Sequence, residues 1–240
     1  MTGRHFQGKT ALITGASRGI GSAIAQALAA EGANVVLAGR NQASLSQVAK
    51  DLRRYKVDAL PVACDVRDPL EIERMIGTVK RRFRRIDILV NNAGVAHPNL
   101  SVAELPAETW MDVIATNLTG MFLVTQAALP MMRRGGSIVN NLSIAARQVF
   151  PGLSAYNAAK NGALGLTNTL REELRPRGIR VIALLPGATD TEIWNAFWPD
   201  APRKKMMSPK TVAEAVVNAL ALPDESTVEE LTILPSAGTL

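Results

Sequence analysis

The most constraining feature of this chain is an alternation. Short runs of β-branched and aliphatic residues take turns with longer segments of helical periodicity, from one end to the other. The runs are Thr10–Thr14, Ala33–Ala38, Asp58–Cys64, Ile86–Val90, Ser137–Leu142, Arg180–Leu185 and Leu231–Leu234. The helical patterns between them are Ile20–Glu31, Ser44–Tyr55, Pro69–Phe83, Glu108–Met132, Ala155–Arg175 and Pro209–Leu222. The runs are continuously apolar, as expected of strands covered on both faces. Strand–helix alternation of this length predicts a seven-stranded, parallel, doubly wound α/β sheet with right-handed crossovers. The 240 residues suit one such domain, and neither a linker nor an internal repeat divides them.

Composition narrows the function. Apolar residues make up 47% of the chain, enough for a large core. The net charge of +6 comes with its densest cationic run at Lys80–Arg85, on the end of a predicted helix. Cations there complement the helix dipole, and no interleaved aromatics would stack bases, so nucleic acid is not expected as a partner. No segment reads as a membrane span or signal core, so no membrane partner is expected. The single cysteine, Cys64, excludes an intrachain disulfide and points to a reducing, cytoplasmic setting. His5 and His97 stand far apart, so no metal site is expected. Cys64 at a strand end reads as packing rather than as a nucleophile.

The first strand runs into Thr14-Gly-Ala-Ser-Arg-Gly-Ile-Gly21, and a helix follows. Gly15 permits the tight turn, Gly19 lets backbone approach a pyrophosphate, and Gly21 allows close helix–sheet packing. Ser17, Arg18 and Ile20 complete the turn, and the free N–H groups at the helix start favour phosphates. This is the signature of a Rossmann-type dinucleotide fold. An NAD site would place an acid at the end of the second strand, about 20 residues on. Here the chain reads Gly39-Arg40-Asn41. Arg40 and Arg18 suit a 2′-phosphate, so NADP(H) is expected over NAD(H).

Tyr156 and Lys160, four residues apart, share one helix face. Ser143 closes the fifth run at the carboxyl edge, where open α/β sheets bind ligands. An ammonium beside the phenol favours the phenolate, so Tyr156 reads as a proton donor and acceptor and Ser143 as a hydrogen-bond donor to a substrate oxygen.

Ordered along the chain, Thr14–Gly21, Asp65-Val66, Asn91-Asn-Ala-Gly94, Asn117, Ser143, Tyr156-Asn-Ala-Ala-Lys160 and Pro186-Gly187 with Thr189 and Thr191 resemble the short-chain dehydrogenase/reductase family over almost the whole length. The resemblance implies hydride transfer between NADPH and a ketone or aldehyde. It implies a catalytic tetrad of Asn117, Ser143, Tyr156 and Lys160, with Asn117 holding a water of a proton relay. It also implies Asp65 and Val66 at the adenine, Asn91, Ala93 and Gly94 beside the adenosine ribose, and Lys160 with Tyr156 on the nicotinamide ribose. Pro186, Gly187, Thr189 and Thr191 then hold the carboxamide. Residues 188–210, with Trp194, Phe197 and Trp198, correspond to a substrate lid, and a partly apolar carbonyl substrate is expected beneath it.

The broad apolar surfaces of Glu108–Met132 and Ala155–Leu174 suggest a homotetramer, or at least a dimer, through the helices the family uses. Two other readings stand beside the small-molecule reductase. Arg134 and Arg177 match positions where 3-oxoacyl-[acyl-carrier-protein] reductases carry basic residues for the carrier, although the C-terminal stretch from Glu230 departs from that group's final strand. A catalytically idle NADP-binding regulator on the same fold is the third, and it has no need of Tyr156, Lys160 and Ser143 together.

Overall fold

The computed structural model describes residues 4–238. The strands are β1 (Thr10–Thr14), β2 (Asn34–Gly39), β3 (Ala59–Ala63), β4 (Ile88–Asn91), β5 (Ser137–Asn141), β6 (Arg180–Pro186) and β7 (Glu230–Ile233). Each pairs in parallel with its neighbours, in the order β3-β2-β1-β4-β5-β6-β7. The chain leaves β1 toward β3, then crosses back to start β4 on the other side of β1. Strand order therefore reverses between β1 and β4, and a crevice opens at their carboxyl ends.

The helices are α1 (Gly19–Ala30), α2 (Gln42–Leu52), α3 (Pro69–Phe83), α4 (Ala107–Ile114), α5 (Gly120–Ala128), α6 (Ser154–Leu174), α7 (Trp194–Phe197) and α8 (Pro209–Leu220). On one face of the sheet Ile13 and Leu37 meet Ile24 and Leu28 of α1, Leu45 of α2 and Val212 of α8. On the other, Leu12 and Leu89 meet Met75 of α3, Val124 of α5 and Leu170 of α6. Alternate residues of one strand thus feed two cores, which is why the strands read as unbroken apolar runs.

The helix starts differ in a way that matters for function. The side chains of Asn41, Asp68 and Ser208 cap α2, α3 and α8, and Pro69 and Pro209 open the last two. α1, by contrast, has Arg18 at its N-cap with no capping bond and no acid in the first turn. This start faces the crevice, and no side chain occupies its free amides.

Three expectations are adjusted. The edge strands β3 and β7 are only partly covered, and β7 alternates between exposed and half-buried residues, because each has a neighbour on one side alone. The helical pattern at Glu108–Met132 contains a π-helical turn at Ala115–Thr119 between α4 and α5. The run Ala107–Met131 is, by length and apolar composition, long enough to cross a membrane, contrary to the sequence reading. Its Val113, Met121, Val124 and Ala128 are buried within the fold, the character of a core helix.

A candidate active-site cleft with a phenol beside a buried ammonium

The carboxyl ends of β1, β4, β5 and β6 border a cleft of about 780 Å³. Gly15 turns the chain out of β1 at φ +63°, and a Cβ there would stand 2.9 Å from Ala93 Cα. A Cβ on Gly21 would stand 2.4 Å from the Gly15 carbonyl oxygen. Both positions are closed to any larger residue, which lets β1, β4 and α1 converge at one corner. Asn92 fastens that corner. Its Nδ2 donates to the carbonyls of Thr14 and Gly15, at 2.9 and 3.1 Å, and its backbone N–H donates to Thr14 Oγ1 at 2.9 Å.

Ser17, Arg18, Gly19, Ile20, Arg40, Asp65, Val66, Ala93 and Gly94 line the outer end of the cleft. Asn91, expected beside the ribose, is turned into the core instead. It is buried, and its Nδ2 donates to Thr125 Oγ1 and Asn140 Oδ1, both at 2.8 Å. Successive strand residues face opposite ways, so Asn91 and Asn92 cannot both reach the crevice. Gly21 likewise serves packing rather than the cleft wall. Asp65 grips Arg67, whose hydrogen bond holds the carboxyl below the ordinary aspartate range, and Arg67 also pairs with Asp112 of α4. No acid ends β2: Gly39 and Arg40 stand there. Arg18 pairs with Glu192 of the segment after β6, so one of the two expected phosphate-binding arginines already has a carboxylate partner.

Ser143, Tyr156 and Lys160 gather at the inner end. Ser143 Oγ accepts from the Ala145 N–H at 3.1 Å and starts a short 3₁₀ turn, which fixes the hydroxyl next to Tyr156. Lys160 is buried. Its Nζ donates to the Asn141 carbonyl at 3.1 Å and lies 5.5 Å from the centre of the Tyr156 ring. Burial pushes the Lys160 ammonium down to about 8. Burial raises the Tyr156 phenol, and the Ser143 hydroxyl pulls it back in part. The expectation that Lys160 favours the phenolate is thus outweighed, within the protein's own groups, by desolvation. The arrangement keeps a neutral phenol, able to give up a proton, beside a hydroxyl and an ammonium.

Asn117 stands on the π-helical turn, but its amide is spent on backbone. Oδ1 accepts from the Val95 N–H and Nδ2 donates to the Val95 carbonyl, both at 2.8 Å. The side chain clamps the strand end that carries Gly94 rather than pointing a free polar atom at Lys160. The π-turn that breaks the helix is what brings Asn117 to this position. Beyond it, Pro186 and Gly187 end β6, and Thr189 Oγ1 donates to the Gly187 carbonyl at 3.0 Å. Trp194 Nε1 donates to the Thr189 carbonyl at 2.9 Å, tying the aromatic segment to this wall.

Several residues of the cleft escaped the sequence reading. Asn141 holds Lys160 through its carbonyl and Asn92 through its side chain, at 2.8 Å, and its buried Oδ1 has no partner. Phe150, Leu153, Val95 and Asn99 form the inner wall. Asn141 carries a signal after the fact, a polar residue at the end of a buried strand, whereas the apolar wall residues look like any core segment. Cys64 is buried and its thiol is pushed up to about 12, which agrees with a packing role.

Comparison with known proteins follows this geometry. Residues 9–202 match the family model described as short chain dehydrogenase. The chain is 35% identical over 233 residues to an uncharacterized oxidoreductase of Staphylococcus haemolyticus, covering 96% of this chain and 99% of that one. An alcohol dehydrogenase from the archaeon Thermococcus sibiricus, solved with 5-hydroxy-NADP, superimposes with a TM-score of 0.89 at 33% identity, over 95% of this chain and 97% of the other. A 3-ketoacyl-(acyl-carrier-protein) reductase from Brucella melitensis, solved with NADH, gives 0.86 at 30% identity, over 96% and 98%. With the family model matching residues 9–202 and relatives of this identity matching nearly the whole chain, the chain belongs to the short-chain dehydrogenase/reductase family of oxidoreductases.

Proposed function

We propose that the protein reduces a small ketone or aldehyde with NADPH, and oxidises the corresponding alcohol in reverse. The observation that carries this is the Ser143–Tyr156–Lys160 cluster at the inner end of a cleft whose outer end is a glycine turn with free helix amides. The residues present fit a dinucleotide. The uncapped α1 start suits a pyrophosphate, the acid-free end of β2 with Arg40 suits a 2′-phosphate, and the unpartnered Asn141 Oδ1 can accept from a hydroxyl. When bound, the nicotinamide supplies the hydride.

The chain's own residues do the rest. Ser143 donates a hydrogen bond to the carbonyl oxygen and polarises it. Tyr156, held neutral by burial, releases its proton to that oxygen as negative charge develops there. Lys160, held by Asn141, steadies the phenolate left behind and reaches the ribose hydroxyls. Asn117 keeps the Gly94–Val95 backbone in place, so its contribution is positional. Asp65 and Val66 border the adenine subsite, Ala93 and Gly94 the ribose, and Pro186, Gly187, Thr189 and Thr191 the carboxamide. Residues 188–210 act as the lid.

Arg134 and Arg177, the residues that suggest a carrier-protein substrate, lie away from the cleft of their own chain. They sit before β5 and β6, at the end of the sheet opposite Ser143. Their guanidiniums donate to backbone carbonyls, Arg134 to Pro176 and Arg177 to Leu129 and Met132. A carrier docked there would need the cleft of another copy. Such a copy is itself part of the reading, because α4 leaves Trp110 and Met111 exposed and α5, in the same helical run, leaves Phe122 exposed. Light scattering tests it, and a clean 25.7 kDa particle at micromolar concentration excludes the oligomer. The test of the activity is NADPH oxidation over a carbonyl panel that includes an acetoacetyl thioester. An idle regulator would bind NADPH and reduce none of the panel.

A further inference from the structure

Past Ser143 and Tyr156 the cleft changes character. The loop before α6 contributes Phe150 and Leu153, and the segment after β6 contributes Trp194, Phe197 and Trp198 from the facing side. The three lid aromatics form one cluster, with Trp194 4.8 Å from Phe197 and 6.1 Å from Trp198 between ring centres. Trp194 is fixed by its bond to Thr189, so the cluster presents its rings at a set distance from the carboxamide wall. Trp198 remains 43% exposed although it lines the cleft, an aromatic surface with nothing covering it.

The ionisable groups along the cleft are distributed unevenly. Arg40, Cys64 and Asp65 stand at the adenosine end, and Arg18 and Glu192 pair with each other at the glycine turn. Tyr156 and Lys160 belong to the chemistry. Among the described residues, no ionisable side chain remains on the wall beyond them. The one amide there, Asn99, has its Nδ2 turned to the Pro151 carbonyl at 3.4 Å. A carboxylate or phosphate brought into this half would lose its water and meet no cation, whereas a flat ring would meet rings.

We infer that this cleft selects an uncharged aryl or alicyclic ketone or aldehyde and excludes carbonyl compounds that carry a carboxylate. The inference rests on the reductase reading above and goes further, to the substrate class. It assigns Phe197 and Trp198 as specificity-determining residues. Both line the cleft, and neither belongs to the Ser143–Tyr156–Lys160 cluster.

The test is steady-state kinetics on the full chain with NADPH and matched substrates. Acetophenone and 4-acetylbenzoate differ only in a carboxylate, and cyclohexanone and 2-butanone differ in ring against open chain. Butane-2,3-dione serves as a small reactive control. The expected kcat/KM for acetophenone exceeds that for 4-acetylbenzoate by at least about 100-fold. It exceeds that for 2-butanone by at least about tenfold. Phe197→Ala and Trp198→Ala should each shrink the acetophenone-to-butanone ratio by about fivefold or more, through KM, with the dione little affected. In the NADP⁺-loaded protein, 1-phenylethanol should quench tryptophan fluorescence at concentrations where 4-(1-hydroxyethyl)benzoate does not. Reduction of the dione with equal rates on acetophenone and 4-acetylbenzoate would overturn the inference and leave the reductase reading standing. So would an aromatic preference that survives both alanine variants. Failure to reduce any compound, the dione included, removes the reductase reading and this inference with it.

Discussion

The two ends of the cleft are built on opposite terms. At the outer end, charges lie in water: the Arg18 and Glu192 side chains are 68% and 58% exposed. At the inner end the ionisable groups are sunk in the protein, with Lys160 only 5% exposed. Water screens the first set, so each contact there is worth little until a ligand displaces the solvent. Desolvation dominates the second, which is why Lys160 is pushed down to about 8 and the Tyr156 phenol is raised. On the proposed function, recognition of the cofactor is thus spread over many weak contacts, while the chemistry is concentrated in few groups. Substitutions at the two ends should differ accordingly.

The largest effect belongs to Tyr156→Phe. Only the hydroxyl is lost, so the fold and the outer end should be untouched. We expect kcat to fall by about 10² to 10⁴, the range for removal of a positioned general acid. NADPH affinity, read by fluorescence titration, should stay within about twofold, since the outer contacts carry most of the binding. Turnover near normal in this variant would break the contrast between the two ends outright.

Next comes Arg40→Asp. Arg40 faces the position where a 2′-phosphate is expected and where NAD-specific sheets carry an acid. We expect NADPH over NADH by at least about tenfold in kcat/KM for the unchanged protein, and erosion of that preference by about one to two decades in the variant, since a charge-assisted contact is worth about 1.5–3 kcal/mol. Equal use of both cofactors by the unchanged protein would mean that the end of β2 does not read the 2′ position.

Lys160→Met sharpens the comparison from the side of stability. A lysine whose folded pKa is depressed from 10.5 to about 8 is destabilising wherever it must stay charged. Below pH 8 both the folded and the unfolded chain hold the proton, and the penalty is present in full. Between about 8 and 10.5 the unfolded chain holds a proton that the folded one has released, so the stability of the unchanged protein rises with pH. The Met variant should therefore melt several degrees higher at pH 7, by ~1–3 kcal/mol, and the gap should close toward pH 10.5. Its turnover and NADPH affinity should both fall. A gap that does not depend on pH would show that Lys160 is not buried as a charge.

The same division governs how much of the molecule could be read in the sequence. The sheet was legible because β1, β2, β4, β5 and β6 are covered on both faces and so write themselves as continuous apolar runs. The edges β3 and β7 had the right positions but are less covered than their composition implied. The π-helical turn at Ala115–Thr119 left no mark, because an inserted residue in a helix changes hydrogen bonding and not hydropathy. At the site, Gly15, Ser143, Tyr156 and Lys160 were legible because turn geometry and proton chemistry each demand particular residue types. Which of the adjacent Asn91 and Asn92 turns its side chain to the core was not legible, because both are asparagines at the end of one strand. Phe150 and Leu153 were missed because an apolar wall residue has no chemistry to announce it, and Asn117 was legible in position but not in what its amide holds.

The smallest effect, and the most specific to this chain, concerns Glu192. Its carboxylate pairs with Arg18 of the glycine turn across 174 residues, linking the segment after β6, the proposed lid, to that turn. A 2′-phosphate or pyrophosphate that recruits Arg18 must first take it from Glu192. Glu192→Gln removes the competitor and keeps the shape. Because the pair is largely exposed, the gain is bounded by the worth of a surface ion pair, about 0.2–1 kcal/mol, so NADPH should bind tighter by about 1.4-fold to fivefold. The gain should shrink as salt is raised from 50 to 500 mM, since screening weakens Glu192's hold on Arg18 in the unchanged protein. NADH, which lacks the 2′-phosphate, should gain less. The readout is NADPH and NADH titration at two salt concentrations, with acetophenone turnover as a check that the lid still closes. Weaker NADPH binding in Glu192→Gln would mean that the pair holds Arg18 in place for the phosphate rather than away from it, and the coupling between lid and glycine turn would have the opposite sign.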